Sequence, residues 1–407
     1  MNPATVTVCS AAGPGQPLPD HPRAVPAVPA PAFDRGYRDA VNDLRRLTRL
    51  RLSWTVAVPL LALVVLALAW GRALPVPWVT VVAVILAGAV LAAVHHAEVV
   101  AHRVGEPYGS LVLAVAVTVI EVALIVTLMV SGGSETETLA RDTVFAAVMI
   151  TTNGIAGLSF LLGSLRHGLA HFNPEGSGAA LATVATLATL SLVLPTFTSE
   201  PGPKFSPAQL GFAAAASLVL YVLFVFTQTR RHRDFFLPVT SGGHTADEAD
   251  HAPPPARRAA LTSLALLLVA LVAVVGLAKV ESPAIESGVE AAGFPHSFVG
   301  VVIALLVLLP ETLAAGRAAL LGRIQISLNL AYGSAMASIG LTIPAIAIAS
   351  VWLDGPLLLG LGNTQLVLLL LTAFVSGLTV VPGRATRLQG GIHLALLAAF
   401  LFLAVNP

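Results

Sequence analysis

Apolar residues fill this chain in long blocks, several reaching or approaching the roughly 20 residues that cross a bilayer, and short polar stretches separate the blocks. The blocks predict eleven membrane helices, at about 53–70, 76–100, 108–131, 142–164, 178–197, 207–228, 259–280, 297–320, 325–350, 356–381 and 387–405. Glycine and proline inside some of them do not argue against a span, because neighbouring groups in a membrane bundle satisfy the freed backbone. Two polar positions fall inside blocks rather than between them. Glu121 sits in the middle of VAVTVIEVALIVTLMV (115–130), and Glu311 lies in VLLPETLAAG (307–316), directly after Pro310.

Composition supports that pattern. Of 407 residues, 56% are hydrophobic and 11% charged, against about 25% charged in soluble domains. The fold class that follows is an all-α polytopic membrane protein. A net charge of +1 says nothing about partners, and no Rossmann, P-loop or zinc-finger pattern is present. The one cysteine, Cys9, excludes an intrachain disulfide and a cysteine-based metal site. Residues 1–34, rich in proline and alanine, lack the basic segment and apolar core of a signal peptide and read as a disordered tail. The six arginines of 35–51 read as a cytoplasmic stop before helix one.

Charge then orients the chain. With the N-terminus in the cytoplasm, 18 lysines and arginines lie inside and 4 outside, as the positive-inside rule favours. The outside loops are acidic: SETETLARD (134–142) and ESPAIESGVE (281–290). The domain organisation is a basic tail over 1–51, helix one with a first five-helix block over 52–228, a cytoplasmic linker over 229–258, and a second five-helix block over 259–407. His244, Asp247, Glu248, Asp250 and His251 in the linker read as solvated charges rather than a cation site. Two blocks of five spans enter from opposite sides, an inverted repeat, and transporters of that build place their site near the midplane where the repeats meet.

Glu121 falls in the second helix of block one and Glu311 in the second helix of block two. Each lies about 20 Å along its helix, at about 1.5 Å per residue, near the middle of the membrane. An ionisable group there costs on the order of 2.5–3.5 kcal/mol, so two at matching positions point to function. Desolvation favours the protonated acid, whereas a cation needs the carboxylate. Competition between protons and a cation for the same oxygens is what an antiporter requires. Thr118 is one turn from Glu121, at i−3; Asn153 lies in TTNG (151–154), and Thr312 and Ser334 supply oxygens in block two. Pro310 has no N–H for the Leu306 carbonyl, which is left free as an acceptor.

The stretch AHRVGEPYGSLVLAVAVTVIEVALI (101–125) resembles the first signature helix of cation/proton exchangers in the calcium:cation antiporter superfamily, with Gly105, Glu106, Gly109 and Glu121 fitting the pattern. LPETLAAGRAALLGRIQISLNLAYGSAMASIGLTIP (309–344) fits the second signature, through Glu311 and Gly333-Ser334. The wording is most similar to bacterial ChaA-type sodium/calcium:proton antiporters. The resemblance implies a transporter with no cofactor beyond the transported ion. Where the calcium exchangers carry asparagine three residues before each glutamate, this chain has Thr118 and Leu308, and in place of a glutamine it has Ala337, with Ser338 beside it. Fewer amide ligands make sodium or potassium exchange as consistent with the residues as calcium. Asn153 matches the amide position of the first repeat.

In HHAEVVAH (95–102), His95, Glu98 and His102 share a helical face at the cytoplasmic end of helix two. They read as a polar helix end, or as an entrance leading to Glu121 that also includes Glu106. The spacing is not the His-Glu-x-x-His of a metalloprotease. With no nucleotide loop and no nucleophile elbow, neither ATP-driven pumping nor hydrolysis is expected, and the chain is not read as an enzyme. A passive cation channel using the same carboxyls is the alternative, and an intramembrane enzyme ranks below it. The expected partners are cations, protons and a bilayer, with no nucleic acid; the expected location is the bacterial inner membrane. Oligomeric state is open.

Overall fold

A computed structural model describes residues 53–72, 74–105, 108–131, 137–238, 255–352 and 355–407. Residues 1–52, Glu106 and the linker residues His244, Asp247, Glu248, Asp250 and His251 therefore lie outside the described residues. Helix α1 (Trp54–Ala69) precedes α2 (Val76–Val104) and α3 (Tyr108–Ser131). Next, α4 (Leu139–Met149) passes through a π turn (Ile150–Ile155) into α5 (Ala156–His167). Helix α6 (Pro174–Ala188) is extended by a π turn and a short 3-10 turn to Phe197, and α7 (Pro207–Phe226) closes the first block. The second block comprises α8 (Arg257–Ala291), α9 (Phe298–Leu320), α10 (Ile324–Gly340), α11 (Thr342–Ala349), α12 (Asn363–Val380) and α13 (Arg387–Val405). Among the described residues, nine helical stretches are long and apolar enough to cross a membrane, and Trp54–Ala69 and Val115–Val130 are shorter apolar helices.

Local chemistry sets the ends of these rods. Asn173 accepts from the N–H groups of Glu175 and Gly176 (2.9 and 3.3 Å) while Pro174 occupies the first turn of α6, satisfying donors that a helix start leaves free. Ser206 and Gln209 exchange bonds of 2.9 and 3.3 Å at the start of α7, a capping box. Two predicted boundaries differ. ESPAIESGVE is not a loop: α8 continues through it to Ala291, with Pro283 inside the helix. Its alanine and glutamates favour helix, and the proline forfeits one bond. The predicted span at 356–381 starts later, at Asn363, because 356–362 is non-helical and is tied by backbone bonds from Leu358 to Glu137, Gly360 to Pro203 and Leu361 to Leu192.

Buried apolar residues form two clusters. One joins α1, α2, α3 and α8 with one face of α9; the other joins α4–α7 and α10–α13 with the opposite face of α9. Helices α3 and α9 belong to both: Ile120 and Leu124 pack in the first and Ile125 in the second, and Ile303 and Val307 in the first while Ala304 and Leu308 are in the second. Packing is also reciprocal between blocks. Helix α3 lies on α10 and α11, and α9 lies on α4, the π turn and α5. Close approaches use glycine: a Cβ on Gly390 of α13 would come within 2.6 Å of the Leu161 nitrogen, and one on Gly157 within 2.7 Å of the His393 Cβ. A two-residue antiparallel ladder, β1 (Ala170–His171) with β2 (Arg384–Ala385), pairs the α5–α6 connection of the first block with the α12–α13 connection of the second.

Candidate functional site

Glu121 lies in α3 at the seam between the two clusters and is 2% exposed. The Ser338 hydroxyl donates to its Oε2 at 2.8 Å, across 217 residues of sequence. Its Oε1 is buried with no hydrogen-bond partner. Thr342 is fully buried and set against the same carboxyl, outside hydrogen-bonding geometry. Both hydroxyls come from the break between α10 and α11. There Leu341 sits at φ −110° and ψ −36°, and Pro344 has no N–H to give the Gly340 carbonyl. Thr118, one turn from Glu121 on α3, is buried.

Glu311 occupies the comparable position on α9, one residue after Pro310. Its Oε2 is buried and unpaired. The carboxylates close enough to act on it electrostatically are Glu98 and Glu121. The fold thus brings the two predicted glutamates into each other's field from different blocks. Thr312 donates to the Leu308 carbonyl at 2.7 Å, leaving its oxygen lone pairs as acceptors. Ser334 is half-buried on α10, one turn before Ser338. Among the described residues no three His, Cys, Asp or Glu side chains converge. The donor set is therefore two carboxyls with hydroxyls and free carbonyls, all hard oxygens of the kind alkali and alkaline-earth ions take.

Asn153 is engaged elsewhere. Its Nδ2 donates to Thr372 Oγ1 at 2.9 Å, and its Oδ1 faces His393 Nδ1 at 3.1 Å. His393, fully buried on α13, also meets Thr379 Oγ1 at 3.2 Å through Nε2. The adjacent threonines repair the π turn: Thr151 donates to the Ala147 and Val148 carbonyls and Thr152 to Val148. The face of the π turn that holds the amide is thus directed at α12 and α13, while α9 and α10 also pack on this turn. His393, Thr372 and Thr342 carry no mark in the sequence. Each is one polar residue among apolar ones; Asn153 pairs with His393 and Thr372 more than 200 residues away, and the surroundings of Thr342 are created by a helix break.

At the predicted entrance, His95, Glu98 and His102 are exposed on α2. Glu98 lies in the field of both Glu311 and Arg317. His96 is turned inward instead, its Nε2 2.8 Å from the Thr55 carbonyl.

The sequence pattern of the sodium/calcium exchanger protein family matches residues 60–230 and 262–406, two stretches on either side of the linker. The chain belongs to that family. It is accordingly an ion transporter of the antiporter type and not an enzyme. The protein y4hA of Sinorhizobium fredii is 48% identical to this exchanger-family chain over 362 residues, covering 87% of it and 96% of y4hA. The sodium-potassium/proton antiporter ChaA of Escherichia coli is 34% identical over 347 residues, 84% and 93% of the two chains. Among solved structures, the H+/Ca2+ exchanger CAX superposes with a TM-score of 0.66 at 16% identity, covering 86% of each chain. Native YfkE gives 0.64 at 17% identity, over 87% of this chain and 99% of the other. At those identities the two structures establish a common fold.

Proposed function

We propose that the chain is a secondary active cation:proton antiporter that exports sodium, potassium or calcium in exchange for protons. The observation that carries this reading is the pair Glu121 and Glu311. They are contributed by different blocks, lie within each other's field, and each holds a buried, unpaired oxygen. An unpaired carboxyl oxygen away from water is costly unless a proton or a cation takes it, so the two ligands contend for one place. Glu121 and Glu311 are the shared ligands, with Ser338, Thr118, Thr312 and Ser334 as neutral oxygens. The Asn153 amide supports the wall behind them. The set carries few amides, and the similarity to a sodium-potassium/proton antiporter favours monovalent ions. The seam between the clusters, with one glutamate helix in each block, is where relative movement would expose the site to either side in turn. The protein sits in the bacterial inner membrane with its N-terminus in the cytoplasm, and the ion is cargo rather than a resident cofactor.

Inside-out vesicles carrying an imposed proton gradient provide the test. Saturable collapse of the gradient on adding sodium, potassium or calcium is the expected result. Wild-type vesicles in which no cation does so would overturn the reading, and flux that follows voltage alone would replace it with a channel.

A further inference from the structure

Several threonines in these helices spend their one proton on a carbonyl a turn back. Thr183 gives it to Ala179, Thr186 to Ala182, Thr189 to Ala185 and Thr227 to Leu223, at 2.7–2.9 Å. That bond satisfies a hydroxyl within its own helix, so the residue is tolerated in an apolar setting. Thr342 does not make it. The helix breaks at Leu341, and Thr342 opens α11 with its hydroxyl oxygen buried and without a partner. The break is held from behind: a Cβ on Gly340 would lie 2.7 Å from the Tyr221 Cβ, so α10 and α7 meet with no space between them. In front, the hydroxyl is set against the Glu121 carboxyl, whose Oε1 is also buried and unpaired. Ser338, one turn earlier, already holds the other oxygen, Oε2. Beside one carboxyl, Glu121 Oε1 and the Thr342 hydroxyl thus each lack a partner in good hydrogen-bonding geometry, in an interior where each omission is costly. A hard cation satisfies both at once.

We propose that Thr342 is a direct ligand of the transported cation, its hydroxyl oxygen and Glu121 Oε1 closing one side of the coordination shell while Ser338 fixes Oε2. This deepens the antiport reading and rests on it. The ions concerned are alkali or alkaline-earth cations, which accept neutral hydroxyl oxygen.

Thr342→Val removes the oxygen and keeps the branched shape; Thr342→Ser keeps the oxygen and loses a methyl group. Exchange is measured in inside-out vesicles for sodium, potassium and calcium separately. The expected result for Thr342→Val is a cation KM raised about tenfold, the scale of one lost ligand contact, with the maximal rate within about twofold of wild type and KM restored by Thr342→Ser. Should the valine variant not reach the membrane, Thr342→Ala deletes the same oxygen in a smaller side chain and gives the same comparison. Wild-type KM in the oxygen-deleted variant, or a raised KM that serine does not restore, overturns the proposal while leaving the antiport reading in place. Wild-type vesicles without proton-coupled exchange overturn both.

Discussion

Ser338 donates a direct hydrogen bond to the buried Glu121 carboxyl. Ser338→Ala is expected to leave the protein folded and to raise the cation KM several-fold, because the Glu121 carboxylate loses a donor that orients it; initial rates against cation concentration read this out. His393 has a different job. His393→Leu leaves the Asn153 oxygen without its imidazole partner, a loss of about 1–3 kcal/mol for a buried group left unsatisfied, while Thr379 keeps its bond to the Val375 carbonyl. A lowered midpoint of thermal unfolding in detergent is the expected outcome, and an unchanged midpoint would show that the network carries no stability. At this scale the sequence revealed Glu121 and Glu311, because a charge inside an apolar run is conspicuous. It did not reveal which way Asn153 faces. That depends on a histidine 240 residues away and on a π turn that leaves no trace in residue type.

Irregularities in otherwise regular helices place the polar groups of the site. Pro310 withholds an N–H from the Leu306 carbonyl one residue before Glu311, the α10–α11 break presents Ser338 and Thr342, and the π turn stands against α9. Pro310→Ala restores the missing donor. The expected result is a protein at least as stable as wild type, with weaker cation binding, seen as a raised KM in vesicles with normal expression. Gly390→Leu tests the packing. A Cβ there would meet the Leu161 nitrogen at 2.6 Å, overpacking of a kind that costs about 1–3 kcal/mol or more, and size-exclusion profiles should show little folded protein. Helix positions were legible because apolar blocks of span length are unmistakable. The extra turns of α8 were hidden by the acidic residues of 281–290, which read as a loop. The break at Leu341 was hidden because Gly340, Leu341 and Pro344 are all compatible with a continuous membrane helix.

At the scale of the whole molecule, two apolar clusters share α3 and α9, and the glutamates stand on those two shared helices. The division into two blocks is read from an odd number of spans and the charge of the loops; the family pattern matches residues 60–230 and 262–406. Which helices would group together was not readable, since α1, α2 and α8 cluster across the linker and only folding brings them into contact. The central claim is that protons and a cation occupy the same two carboxyls. It is tested most directly by adding sodium, potassium or calcium to purified protein in weakly buffered solution and measuring released protons. Wild type is expected to release protons saturably with cation concentration, and Glu121→Gln and Glu311→Gln each to release fewer or none. Cation binding without proton release in wild type, or full release in both variants, would contradict the account.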